Sequence, residues 1–232
     1  MAALKTRHPR GFDTVAADEY LARRDRRLAR WIERIGPIAA QKQWRGRFDP
    51  ADALARAILY QQLSGKAAAT IVKRVEVAIG STRLHCDTLG RVDDATLRAC
   101  GVSGNKVLAL RDLGRREADG EIPTVAQLLW LCEQSIIDAL VPVRGIGRWT
   151  VEMMLMSRLG RPDVLPVDDL GIRKGIQVLD MLDAVPTPKE AAARGAKWTP
   201  FRTQASFYLW RIADMRSKAA PAAKTPTQRS QD

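Results

Sequence analysis

The sequence predicts an all-α protein, and three observations carry that prediction. Apolar residues recur three and four apart in one segment after another, the spacing that lines one face of a helix. No segment shows the strict apolar–polar alternation of a half-buried strand. The periodic segments open on Asp, Ser or Thr and close on Gly or Pro, the residues that cap and stop helices. At 232 residues the chain is long enough for one large domain or two lobes with a real core.

The elements follow in order. Met1 to Thr14 is polar, basic and broken by Pro9 and Gly11, so it is expected to be a flexible terminus. Ala17 to Ile35 reads as one helix, with Tyr20, Leu21, Leu28, Trp31, Ile32 and Ile35 on its apolar face. Its other face carries Arg23, Arg24, Arg26, Arg27 and Arg30, either as a solvated surface or as phosphate contacts. Gly36-Pro37 ends it, and Trp44 and Phe48 fall in an irregular link. Asp49 or Asp52 caps a helix over about Ala51 to Gln62, with Pro50 in its first turn. Ser64 caps the next, Gly65 to Ile79, so Gln62-Leu63-Ser64 forms a helix–helix corner. A connector runs to Gly90. Asp93 or Asp94 starts a short helix stopped by Gly101, and Ser103-Gly104 starts another closed by Gly120. Pro123-Thr124 opens Val125 to Cys132, and Ser135 lies in the helix that leads to a glycine turn at Gly145 and Gly147. Trp149 to Leu159 is amphipathic, Val164 to Val167 is extended, and Asp168 or Asp169 starts a helix to about Leu182. Lys189 to Ala196 and Phe201 to Met215 complete the helices, and residues 218–232 are expected to be a disordered basic tail.

A formal net charge of +12 and a sequence pI near 10.2 point to a polyanionic partner, with nucleic acid first among them. Cys86, Cys100 and Cys132 are odd in number and widely spaced, and only His8 and His85 are histidines. That pattern speaks against a zinc knuckle or an iron–sulfur cluster, and free thiols fit a reducing compartment. No signal peptide follows the basic start, and no apolar run approaches the ~20 residues of a membrane span. A cytoplasmic protein at the bacterial nucleoid, or a nuclear one, is expected.

Within this frame Val143-Arg144-Gly145-Ile146-Gly147 stands out. Two glycines two apart let the backbone turn tightly and bring main-chain N–H groups close to an anion. A helix begins at once, adding its N-terminal N–H groups and the positive end of its dipole. Arg144 and Arg148 flank the turn with charge. An ordinary αα-corner uses such a turn too; its setting, Pro-Val-Arg-Gly-Ile-Gly-Arg-Trp-Thr between two helices, makes the motif more specific.

The stretch VPVRGIGRWTVEMML resembles the helix–hairpin–helix of the DNA glycosylase superfamily, and VLPVDDLGIRKG resembles the segment carrying its catalytic aspartate. The likeness to the DNA-3-methyladenine glycosylase II branch extends through LARAILYQQLSGKAAATIVKRV and KWTPFRTQASFYLWRIAD, covering about residues 49–214. It implies a two-lobed fold with an active-site cleft between the lobes: residues 15–48 with 159–217 as one lobe, and 49–158 as the other. It implies a monofunctional enzyme that flips an alkylated base, 3-methyladenine above all, out of double-stranded DNA and hydrolyses its N-glycosidic bond. The resemblance places the charge-stabilising carboxylate on Asp169, with Asp168 as the alternative and helix capping as its structural role. It places the wedge on Gln62 with Leu63 beside it, and the base pocket on Trp149, Met153 and Trp210, where core packing is the other role open to the tryptophans. Phosphate falls to Arg144, Gly145, Ile146, Gly147, Arg148 and Thr150. A monovalent cation, Na+ or K+, at the carbonyls of Val143 and Ile146 is the one ion implied, and no cofactor is required. Bifunctional relatives carry a lysine where Trp149 stands, so no Schiff base and no lyase step are expected. A monomer acting on damaged duplex DNA is implied. The rivals are a glycosylase for oxidised or mismatched bases and a non-catalytic DNA-binding module.

Overall fold

A computed structural model describes residues 6–219, and among them there is no β-strand. Helices α1 (Thr14–Arg24) and α2 (Arg26–Ile35) come first, then a 3-10 turn at Lys42–Trp44. Helices α3 (Pro50–Tyr60) and α4 (Gly65–Ile79) meet at a corner. Two short helices, α5 (Cys86–Leu89) and α6 (Asp94–Ala99), precede the longer α7 (Gly104–Ala118). Then α8 (Val125–Leu128) and α9 (Glu133–Leu140) lead into the glycine hairpin, and α10 (Arg148–Met154) leaves it, widening into a π turn over Leu155–Leu159. Helices α11 (Leu170–Asp180), α12 (Pro188–Gly195) and α13 (Arg202–Ala219) follow. The all-α expectation holds. No helix among the described residues is long and apolar enough to cross a membrane.

The chain divides into two compact units, Met1–Phe12 with Ala40–Val164, and Asp13–Ala39 with Leu165–Asp232. In the first, α7 packs against α3, α5 and α6, and α4 packs against α3 and α6. Leu54, Ile58, Val72, Val75, Leu97, Leu110 and Leu113 are buried in these helices. In the second, α11 and α13 make the most extensive helix pair, joined by α1 and α2. Its core holds Leu21, Leu28, Ile172, Ile176, Trp198, Tyr208, Leu209 and Ile212.

Several expectations are corrected. Residues 6–12 are not loose: the His8 N–H donates to Leu129 O at 2.8 Å, and Arg10 donates to the carbonyls of Gln43, Gly46 and Arg158. Residues 40–48 and 159–164 belong to the first unit, not with the terminal segments. Buried Trp44 explains the first shift, since its Nε1 donates to Met156 O at 2.8 Å and its ring lies 4.7 Å from that of Phe12. The single helix expected over 17–35 is two. Asp25 adopts extended φ and ψ of −145° and 98°, and its Oδ1 accepts from Arg27 N and Leu28 N as the cap of α2. The connector before Gly90 contains α5. The expected tail falls mostly on residues 220–232, outside the described residues, and α13 runs on to Ala219.

Candidate functional site

In the first unit the hairpin forms as the glycine spacing requires. Ile146 N donates to Val143 O at 3.0 Å, closing a turn in which Gly145 has φ of +78°, a conformation that disfavours any side chain. Val143 and Ile146 are buried and anchor the turn, while Arg144, Gly145 and Gly147 are exposed. A Cβ on Gly147 would meet nothing within 4 Å, so this backbone faces open space. Gly147 is the N-cap of α10 and brings no capping side chain, so the positive end of the helix dipole is not countered there. The Arg144 side chain makes no ion pair among the described residues, whereas Arg148 is held by the buried carboxylate of Glu152 at 3.0 Å.

Three side chains the sequence did not single out hold this hairpin and the neighbouring end of α3. Asp112 of α7 accepts the Arg144 N–H at 2.8 Å, and Gln61 Nε2 donates to Gly145 O at 2.8 Å. Lys106 Nζ donates to Leu59 O and Gln61 O, each at 2.8 Å, satisfying carbonyls at the end of α3. Burial pushes the Lys106 ammonium below its ordinary range. Burial alone would raise the Asp112 carboxyl, but the Arg144 N–H and the Arg115 and Arg116 guanidinium groups outweigh it and hold it low. Asp112 and Lys106 lie in no recognisable motif, and Gln61, though inside the stretch that resembles the family, carries no local sign of this bond; their signal is tertiary.

At the corner, Gln62 has φ of +57°, the left-handed region that a glutamine rarely adopts and that costs roughly 1–2 kcal/mol. Gln62 and Leu63 are both exposed. A pocket of about 850 Å3 opens beside them, lined by Tyr60, Gln62, Trp149, Thr150, Met153 and Arg158 among others. Gln62 of the wedge candidates, two of the base-pocket candidates and Thr150 therefore line one pocket of this unit. Trp149 is 47% exposed and Tyr60 43%, so neither is a core aromatic. Tyr60 is an addition to the expected pocket residues.

In the second unit the structure shows which of Asp168 and Asp169 caps the helix. Asp169 N donates to Pro166 O at 3.0 Å, so Pro166 to Asp169 forms a tight turn. The N-cap of α11 is Asp169, not Asp168: its Oδ1 accepts from Ile172 N at 2.9 Å, and Asp168 is exposed. Trp210 of α13 donates Nε1 to the same Oδ1 at 3.0 Å. The expected charge stabiliser thus carries the capping role as well. Among the described residues, no three His, Cys, Asp or Glu side chains are grouped to hold a metal ion.

Residues 55–201 match the family described as HhH-GPD superfamily base excision DNA repair protein. DNA-3-methyladenine glycosylase 1 of Schizosaccharomyces pombe is 32% identical over 206 residues, covering 88% of this chain and 90% of that protein. The solved structure of a 3-methyladenine DNA glycosylase from the same yeast, in complex with abasic DNA, matches with a TM-score of 0.71 and 33% identity over 84% of this chain and 95% of that one. A DNA-3-methyladenine glycosidase from Bacillus halodurans matches with a TM-score of 0.78 and 32% identity over 89% of this chain and 94% of its own. On the family match and the near-full-length relatives, the chain belongs to the HhH-GPD superfamily of base excision DNA repair proteins.

Proposed function

We propose that this protein is a monofunctional DNA glycosylase that releases alkylated purines, 3-methyladenine among them, from duplex DNA and leaves an abasic site. The observation that carries the reading is the fixed carboxylate of Asp169 at the start of α11, in a chain whose hairpin is built to take phosphate. A base inside the stack is out of reach, so it must be extruded, and Gln62 with Leu63 is suited to fill the gap it leaves. The N–H groups of Gly145 and Gly147, with the Arg144 side chain, grip the backbone; Arg148, held by Glu152, adds positive charge nearby. Trp149 and Met153 supply stacking surface for a flat, cationic base in the first unit, and the ring face of Trp210 offers such a surface in the second, each aromatic contact contributing about 0.5–2 kcal/mol.

As the N-glycosidic bond breaks, its electron pair leaves with the base and cancels the positive charge that alkylation put there. The sugar becomes oxocarbenium-like, and an ionised Asp169 stabilises that charge. Water then bonds to the anomeric carbon and gives its proton to solvent. The indole of Trp149, where bifunctional relatives carry lysine, forms no Schiff base, so the strand stays intact. The carbonyls of Val143 and Ile146 suit Na+ or K+: they are neutral oxygen donors, and Val143 O keeps a lone pair beyond its bond to Ile146 N. An ion held there would add positive charge beside the phosphate. The reading takes the protein to act as a monomer wherever the genome lies.

The test is base release from duplexes bearing 3-methyladenine, hypoxanthine or ethenoadenine. Asn caps a helix as well as Asp, so Asp169→Asn should fold and bind normally. Its release rate should fall by about a hundredfold or more, as when a charge-stabilising group is removed from other active sites. Release of no lesion by the wild type, with binding intact, would defeat the enzyme reading. Loss of release in Asp168→Asn but not in Asp169→Asn would move the carboxylate by one residue.

A further inference from the structure

We infer that Trp210, with Gly171 making room for it, positions the Asp169 carboxylate through its indole N–H, a role distinct from walling the base pocket. The inference rests on the reading of Asp169 as the charge stabiliser. Two N–H donors converge on Oδ1 of Asp169: Ile172 N from its own helix at 2.9 Å, and Trp210 Nε1 from α13 at 3.0 Å. The carboxylate is therefore tied to both members of the helix pair that builds this unit. A backbone donor alone leaves a carboxylate free to swing about its side-chain bonds. A second donor on a rigid ring removes that freedom.

The space for the bond is supplied by a missing side chain. A Cβ on Gly171 would lie 2.9 Å from Trp210 Cδ1, 3.2 Å from Trp210 Nε1 and 3.0 Å from Asp169 Oδ1. The indole is a flat, inflexible group, and its ring centroid lies 6.0 Å from that of Phe207 on the same helix. It cannot yield to a methyl group without drawing Nε1 off the carboxylate. One turn further on, a Cβ at Gly175 would sit 2.3 Å from Leu209 O, the residue before Trp210. The two glycines thus set how closely α13 approaches α11, and with it the reach of Trp210 to Asp169. A stacking wall needs only the face of the ring; this arrangement uses its edge.

The experiment compares single-turnover base release and lesion-DNA affinity for Trp210→Phe, Trp210→His, Gly171→Ala and Asp169→Asn, each checked for folding by urea melting. Phe keeps an aromatic face and loses the N–H; His restores a ring N–H. Trp210→Phe and Gly171→Ala should slow release by about 10–100-fold, the scale of a misplaced reacting group, and Gly171→Ala, which keeps the whole indole, should leave affinity within threefold of wild type. Trp210→His should recover part of the rate that Phe loses. The inference is overturned by a Trp210→Phe rate within threefold of wild type, or by a loss that appears as weakened binding and is not relieved by His. If Trp210→Phe does not fold, Gly171→Ala decides on the same criteria. If Asp169→Asn itself releases bases normally, the reading of Asp169 fails instead, and the two failures are told apart.

Discussion

Removing the Asp112 carboxylate isolates what holds the hairpin in shape. Asp112 Oδ2 accepts the Arg144 N–H at 2.8 Å, among the described residues the one side-chain acceptor for a backbone donor inside the turn. The same carboxylate meets Arg115 at 3.0 Å and Arg116 at 3.1 Å. A hydrogen bond to a charged group contributes about 1.5–3 kcal/mol, and the low end applies here because Arg144 is exposed and water can replace the acceptor. The ion pairs add at most about 1 kcal/mol each, and less for Arg115, whose side chain is 54% exposed. Asp112→Ala should therefore cost about 2 kcal/mol, and Asp112→Asn, which keeps a neutral acceptor, about 1 kcal/mol. Urea titration gives both numbers. The carboxyl is held below the usual carboxylate range in the folded state, so its contribution is present at neutral pH and fades as pH falls below the unfolded value. The wild-type and Ala curves should then converge in acid. Affinity for abasic duplex DNA, measured where both proteins are fully folded, should drop several-fold in the Ala variant, because a loosened turn must be ordered again on binding. Stability within 0.5 kcal/mol of wild type, roughly the level of a neutral surface change, together with unchanged affinity would refute the idea that Asp112 shapes the hairpin.

Two further outcomes follow from the second unit. Burial would raise the Asp25 carboxyl, but Trp198 Nε1 at 2.9 Å, Arg194 at 2.7 Å and Lys197 at 3.1 Å bring it down to about 2. About 2 kcal/mol of stability should thus be lost between pH 4 and pH 2, a component that urea melts of Asp25→Asn should lack. Gly175→Ala, favourable in an open helix, should instead destabilise by about 1–3 kcal/mol or more, because the added Cβ would lie 2.3 Å from Leu209 O; a stabilised variant would mean that α11 and α13 separate without cost.

What the sequence revealed and what it hid divide along a physical line. Helix existence, the Ser64 cap, the glycine turn and the corner at Gln62 are local properties, written in residues a few positions apart. The break at Asp25 left no local sign, since Leu21 and Leu28 keep one helical face in phase across it. It is visible only once Arg194, Lys197 and Trp198, about 170 residues away, are seen to claim the carboxylate. Asp112, Gln61 and Lys106 are similar: ordinary polar residues on helices until the fold brings them to the hairpin and the corner. Gly171 and Gly175 read as weak points in a helix, and their use lies in the approach of α13.

On the proposed reading of Asp169, capping and chemistry are not competing roles. An N-cap carboxylate is held by a backbone N–H, faces the positive end of a helix dipole and is placed before any substrate arrives. Those are the properties of a preorganised charge stabiliser, whose value lies in needing no rearrangement as the transition state forms. The expectation that capping would fall to Asp168 is not met: the turn at Pro166 to Asp169 makes Asp169 the cap, the same residue proposed above as the charge stabiliser. A helix start presents an oriented carboxylate to whatever lies beyond its first turn, and here a second helix adds the indole that completes its restraint.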